Sequence, residues 1–486
     1  MAGITPHRFQ ELLRVAGAAI GKAFSSPRVM SIVISLLIGL GVIGLRGTGF
    51  LESLELGTYD WYLRMRPKIT LAGSRITLIE ISEADMARYR PWPLSDAILA
   101  QALEQLVQYQ PRGIGLDLYR DIPIPPGSDA LSDVLAHHPA IVVPTKLGTS
   151  PAYDIPPPEV LKGTEQVGFN GMIIDPGGIV RRGVLFLDHG DTSMPSFALL
   201  LALLYLRAEN VYAQLDDTEW LRLGPATIRK FAANDGSYIE ADAEGYQFLL
   251  DFRDAPGAFP VFSLSALLAG EIPPEAIAGK IVLLGVGTET ESVKDFFFTP
   301  YSRGHGFDHF ISGVTLHALI TSQLLRAGLD GEGVVATVRE GDEWGWMLLW
   351  SVLGGVLGLW MHAWWRFLFI SLSGLLLLVA ATYGAFVYEW WIPVIPPALG
   401  WMLSAAVVTA YMSNYEKQHR TILMQLFGQY VSPAVAETIW QQRDQLLRSG
   451  RPRSQRLVAS VLFSDLVGFT PVSEKLSPQA LTGLVG

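Results

Sequence analysis

The chain has 486 residues, half of them hydrophobic, with 46 acidic against 36 basic side chains, a formal net charge of −10 and no cysteine. The negative balance excludes a general attraction to nucleic acid, and the missing cysteines exclude disulfides, thiolate metal sites and cysteine nucleophiles. The length predicts two or three domains, and the hydrophobic fraction predicts a membrane protein with a soluble part.

Residues 1–28 carry Arg8, Arg14, Lys22 and Arg28 and read as a cytoplasmic amino terminus. Residues 29–45 contain no charge and come close to the lower limit, about 17 residues, for a spanning helix. A basic flank before an apolar run is also the pattern of a signal peptide. Here the run starts late and no small-x-small cleavage site follows Leu45, so an uncleaved helix is expected.

Residues 46–343 alternate strand-like and helix-like runs. Strands are predicted at Arg75–Ser82, Gly113–Tyr119, Ala140–Pro144, Gly245–Phe252 and Lys280–Gly285, and an amphipathic helix at Leu94–Tyr109. Strand, helix, strand in that order predicts a right-handed β-α-β unit and a mainly parallel sheet. Ala198–Leu206 is very apolar but too short to span a bilayer, so it reads as a core helix. Asp121–Pro126 and Asp154–Glu159 are proline-rich loops. Glu80, Asp117, Gly285 and Gly287 fall near predicted strand carboxyl ends, where open α/β sheets take ligands. They are candidates for a sensor pocket. The competing reading is that Glu80 and Asp117 cap turns or pair with arginines. His317, on a predicted helix, reads as a packed or partly exposed histidine rather than a metal ligand.

Residues 344–412 hold three further apolar runs, Trp344–Met361, Phe367–Val387 and Trp390–Met412, each close to the roughly 20 residues a span needs. Their tryptophans, including Trp390 and Trp391, cluster near the ends as interfacial belts do. Arg366 lies in the turn before the third span, Lys417 and Arg420 follow the fourth, and the remaining turn carries Glu389 and no Lys or Arg. The positive-inside rule then predicts four spans, both ends cytoplasmic and residues 46–343 outside, in a bacterial inner membrane with a periplasmic sensor.

Residues 413–455 form a linker. Leu423 and Phe427, Ile422 and Leu426, and Val435 and Ile439 make i,i+4 apolar pairs that support short helices able to meet a partner. Ser449–Ser454 reads as a hinge. In residues 456–486, Val458–Phe463 reads as a buried strand, Asp465 sits at its carboxyl end, and Gly468 leads through Phe469 and Thr470 into a helix start. A carboxylate there suits a hard cation such as Mg²⁺ or Mn²⁺, and a glycine turn before a helix start suits phosphate.

Two resemblances follow from these phrases. Phe427-Gly-Gln-Tyr-Val-Ser-Pro433, Val461-Leu-Phe-Ser-Asp-Leu-Val-Gly-Phe-Thr470 and Val472-Ser-Glu-Lys-Leu-Ser-Pro478 occur in the order found in class III adenylate/guanylate cyclases, and residues 427–486 resemble the start of that α+β catalytic domain. The resemblance implies a lyase that converts ATP, ahead of GTP, to a 3′,5′-cyclic nucleotide and pyrophosphate, with two Mg²⁺ or Mn²⁺ ions in a site formed across a homodimer. It implies metal ligation by the Asp465 carboxylate and the Leu466 carbonyl, and phosphate binding by Gly468, Phe469 and Thr470. That family's second metal aspartate and base-reading residues fall beyond Gly486, so these 486 residues alone are expected to be inactive. A non-catalytic membrane sensor is the alternative reading.

The second resemblance covers about residues 54–325. Pro91-Trp-Pro93, Pro111-Arg-Gly-Ile-Gly-Leu-Asp117, Asp175-Pro-Gly-Gly-Ile-Val-Arg-Arg182, Gly279-Lys-Ile-Val-Leu-Leu-Gly285 and Gly313-Val-Thr-Leu-His317 occur in series. They are similar to the second type of CHASE domain, a sensory module found ahead of cyclases and histidine kinases. That likeness implies sensing of an unknown periplasmic ligand.

Overall fold

The computed structural model describes residues 26–68, 74–148, 151–189, 192–254, 257–287, 295–302, 310–360 and 364–428. The chain divides into two units, Met1–Met412 and Ser413–Gly486. In chain order, α1 (Pro27–Gly47) and α2 (Glu52–Met65) precede β1 (Ile76–Ile81), α3 (Glu83–Arg88), α4 (Asp96–Gln108), β2 (Gly113–Asp117), α5 (Ser128–His137), β3 (Ile141–Thr145) and β4 (Val167–Phe169). Then come β5 (Ile173–Asp175), β6 (Ile179–His189), β7 (Thr192–Pro195), α6 (Phe197–Ala208), β8 (Ala213–Leu215), β9 (Leu221–Leu223), β10 (Ala226–Ile228) and β11 (Tyr246–Leu249). The sensor section closes with β12 (Val261–Ser263), α7 (Leu264–Leu268), β13 (Ile281–Val286), β14 (Phe296–Phe297), β15 (Ile311–Ser312), α8 (Gly313–Asp330) and β16 (Ala336–Thr337). The last elements are α9 (Glu340–Trp360), α10 (Trp364–Val387), β17 (Trp390–Trp391) and α11 (Ile395–Gly428).

The expected parallel sheet is present. Six strands lie in the order β12-β1-β13-β2-β3-β4, and every pairing is parallel. Both faces are covered, as a parallel sheet requires. Side chains alternate along each strand, and β13 shows the consequence: Ile281 and Leu283 enter one core with α6 and α8, while Val282, Leu284 and Val286 enter the other with α4 and α7. Gly115 in β2 leaves the space that α6 fills, since a Cβ there would lie 2.8 Å from both Phe197 and Leu201.

The strand expected at Gly245–Phe252 exists as β11, but it is outside the parallel sheet. It pairs antiparallel with β6, in a second sheet ordered β11-β6-β5 with β7 on the other edge of β6. Periodicity marks a strand without naming its neighbour, and β6 runs for 11 residues, long enough to pair with three others.

Three described helices are long and apolar enough to cross a membrane: Pro27–Gly47, Trp365–Val387 and Ile395–Ile422. The remaining expected span, Trp344–Met361, coincides with α9, whose first turn carries Glu340, Asp342 and Glu343. Arg366 is on the first turn of α10 rather than in a turn between helices. The run expected from Trp390 begins as a helix only at Ile395, because Trp390 and Trp391 pair in parallel with Ala336 and Thr337. Trp391 is fully buried against Tyr59 and Tyr238, so it belongs to the sensor core and not to an interfacial belt. Residues 422–428, expected in short separate helices, continue α11.

Candidate functional site

The sequence-derived pocket residues form one row. Glu80 of β1 is paired in register with Gly285 of β13, and Gly285 with Asp117 of β2. Strand spacing then sets Glu80 and Asp117 about 10 Å apart across the row. Residues opposite each other in a parallel sheet share a face, and this row faces α6 and α8. Gly285 is not open to a ligand: a Cβ there would meet Val314 at 2.9 Å, so its lack of a side chain admits the amino-terminal end of α8 between the two acids. Gly287 is likewise filled, by the Glu80 side chain.

Further polar groups lie along this end of the sheet and at the start of α8. Asn170, just past β4, donates to Asp117 at 3.4 Å and accepts from the Tyr119 hydroxyl at 2.6 Å. Asp295 lies against Gly313 at the start of α8 and stays open to solvent on the rim. His317, one turn into α8, is 4% exposed and packs edge-on to Phe197 at 5.0 Å, and its Nδ1 has no hydrogen-bond partner. Burial raises the Asp117 carboxyl to about 6, with the Asn170 bond opposing. Partial loss of water and then the Asp117 charge raise Asp295 to about 6, and His317 opposes. Burial holds the His317 imidazole down at about 4, so it is neutral at pH 7. Glu80 is raised by burial.

Neither Glu80 nor Asp117 pairs with an arginine among the described residues. Among the described residues no group of three or more His, Asp or Glu side chains is arranged to hold a metal ion. A groove of about 400 Å³ lined by Phe186, Leu215, Leu221 and Tyr246, and one of about 350 Å³ lined by Leu200, Leu203 and Leu204, include none of these strand-end residues.

A second constellation was not anticipated. Helix α2 follows α1 through a short turn and is buried along most of one face. Toward the sensor, Asp60 receives Arg181 at 2.6 and 2.9 Å, and the Tyr59 hydroxyl donates to the Leu250 carbonyl at 2.8 Å. Toward the apolar helices, the fully buried Glu55 carboxylate accepts the backbone N–H of Val394 and of Ile395, each at 2.7 Å. Tyr62 shares a 2.7 Å hydrogen bond with Thr382 of α10, and Arg66 pairs with Glu389 at 3.3 Å. Arg46, at the end of α1, pairs with Glu343 of α9 and donates to the Gly236 carbonyl. The ends of α1, α9, α10 and α11 are thus tied to the sensor section by buried polar contacts, which cost free energy unless satisfied. The one signal for this in the sequence is the acidic and aromatic content of Glu52–Met65, which reads equally as an ordinary amphipathic helix.

Asp465, Leu466, Gly468, Phe469 and Thr470 lie outside the described residues, as do Val435, Ile439 and Ser449–Ser454.

A family model described as CHASE2 domain matches residues 36–356, about two-thirds of the chain. No curated protein and no solved structure matches it.

Proposed function

The chain belongs to the CHASE2 domain family, and from that membership we propose that it is a transmembrane receptor whose extracytoplasmic sensor controls a cytoplasmic class III nucleotide cyclase. The observation that carries the receptor reading is the double grip of α2. One helix holds Arg181 of the sensor through Asp60 and the start of α11 through Glu55. A shift of the sensor core against α2 therefore moves the end of the last apolar helix, which is the mechanical requirement of a receptor.

Four spans, both termini cytoplasmic, an inner-membrane location and a homodimer belong to this proposal. Packing supports α9 as a span beside α1, α10 and α11. It lies along α1, where Gly39 faces Leu348 and Ser351 and Gly355 faces Ser35, and against α11, where Gly354 faces Trp401 and Gly358 faces Ala405. Small residues at helix contacts are how helices pack closely in lipid.

The cyclase output rests on the phrases in residues 427–486. In that reading the Asp465 carboxylate and Leu466 carbonyl would hold Mg²⁺ or Mn²⁺, and Gly468, Phe469 and Thr470 would meet the phosphates of ATP, ahead of GTP. The ions would supply charge stabilisation and an activated hydroxyl. The test is production of cyclic AMP and cyclic GMP by membranes containing the natural gene product, including whatever is encoded past Gly486. Synthesis that disappears in Asp465→Asn supports the cyclase. A correctly inserted protein that makes neither nucleotide, with no second metal aspartate encoded downstream, establishes the non-catalytic sensor instead.

A further inference from the structure

Helix α2 is turned the wrong way round for a helix in water. Its acids Glu55 and Asp60 are fully buried, while Leu54, Trp61 and Met65 are 57%, 43% and 50% exposed. A surface helix in water shows the reverse, with apolar side chains inward and charge outward. At about 100° per residue, Leu54, Gly57, Trp61 and Met65 form one stripe, and a Cβ at Gly57 would meet nothing within 4 Å. Phe50, in the turn from α1, is 72% exposed as well. Single apolar residues scattered on a surface need no explanation, whereas a continuous stripe marks a contact.

The borders of the stripe identify what covers it. On one side stand Glu55 and Tyr62, which bond the start of α11 and Thr382 of α10. On the other side, by the same helical spacing, are Ser53 and Arg64. The Tyr62 hydroxyl also donates to the Val379 carbonyl at 3.3 Å, and the Tyr383 hydroxyl donates to the Met65 carbonyl at 2.9 Å. Helix α10 has 24 residues, about 36 Å of helix against a hydrocarbon core of about 30 Å. Centred in that core, it clears the boundary by only about 3 Å at each end. Thr382 and Val379, five and eight residues before Val387, then lie at the depth of the acyl chains. Helix α2 is thus pinned beside the membrane-facing part of α10, with its apolar stripe continuing that surface and its polar border turned away from it.

We propose that the outer face of α2 is a membrane contact, an interfacial helix whose Phe50, Leu54, Trp61 and Met65 side chains enter the acyl-chain boundary of the leaflet on the sensor side. Tryptophan is enriched at that depth, and Arg64 stands where a long basic side chain keeps its charge among the headgroups. The same helix holds Arg181 of the sensor and the start of α11, so the bilayer surface fixes the depth of the joint between them. The proposal rests on the reading of α10 as a span.

The experiment uses the absence of cysteine, since one introduced cysteine then takes one spin label. Leu54→Cys, Trp61→Cys, Asp217→Cys and Leu376→Cys versions of the full chain are labelled and reconstituted into phosphatidylcholine–phosphatidylglycerol vesicles. Collision of each label with oxygen, which favours lipid, and with a water-soluble nickel chelate gives its depth. Asp217 is in an exposed turn of the sensor, and Leu376 is 69% exposed at the middle of α10. All four side chains project outward, so the fold does not depend on them, and a single gel-filtration peak checks this. The Leu54 and Trp61 labels are expected about 5–10 Å below the headgroups, the Leu376 label near the bilayer centre and the Asp217 label in water. Nickel access at Leu54 and Trp61 equal to that at Asp217 overturns the proposal. So does low access to both reagents, the sign of a second copy or another protein surface on this face. Lipid access at Leu376 with water access at Leu54 and Trp61 leaves the spanning helix standing and removes this proposal alone, whereas water access at all four positions removes both.

Discussion

Glu55 and Val394 are 339 positions apart in sequence and are joined by a 2.7 Å hydrogen bond, with the second Glu55 oxygen on Ile395 at the same distance. Backbone N–H groups at a helix start lack intrahelical partners, and here a carboxylate from another helix satisfies two of them. Helix α2 therefore serves as a tertiary cap for the last apolar helix.

Removing that cap has a defined cost. Glu55→Ala leaves two buried N–H groups unpaired and is expected to lower stability by roughly 2–4 kcal/mol. Glu55→Gln retains one acceptor and loses about half as much. Thermal unfolding in detergent ranks them, and equal Tm values for wild type and Glu55→Ala refute the cap.

Glu55 also predicts a pH dependence. Burial raises its carboxyl from 4.5 to about 7, with the two backbone hydrogen bonds opposing. The folded form therefore binds the proton more tightly than the unfolded form. Stability falls as pH rises from 4.5 through 7, and the penalty is fully present above 7. Glu55→Gln flattens this part of the stability profile. An identical profile in the variant would sink the assignment.

The buried pair of Asp60 and Arg181 makes a third case. Arg181 is 1% exposed and also reaches Asp175 at 3.5 Å. Asp60→Ala strands part of that charge and is expected to cost about 3–5 kcal/mol, the range for breaking one side of a buried ion pair. Exchanging both residues for apolar ones of similar volume should cost less. Denaturant unfolding of the single and double variants checks the difference.

Topology is testable without purification. Reporter fusions after Asp217, in an exposed turn of the sensor, and after Ser413 should report opposite sides of the membrane. The same side for both contradicts the four-span arrangement.

The output is tested at Asp465. In the natural gene product, Asp465→Asn should preserve expression and membrane insertion while lowering cyclic nucleotide synthesis by orders of magnitude, the scale of losing several kcal/mol of charge stabilisation. Near-normal turnover would show that the residues around it have been misread.

The apolar runs by themselves determined four strands of the parallel sheet, β1, β2, β3 and β13, and where α4 and α6 form, because burial on one face or all round follows from local periodicity, whereas the short edge strands β4 and β12 carry too few residues to show a period. Gly285 and Asp117 were visible as strand-end residues, but the glycine's purpose was not: only the register of β1, β13 and β2 and the approach of Val314 turn it into a seat for α8. The pairing of β11 with β6, the burial of Trp391 in the sensor and the grip of Glu55 on Val394 and Ile395 were decided by tertiary structure. Each depends on a partner far along the chain. A side chain's pattern states that it must be buried or bonded, whereas packing alone selects which distant group satisfies it.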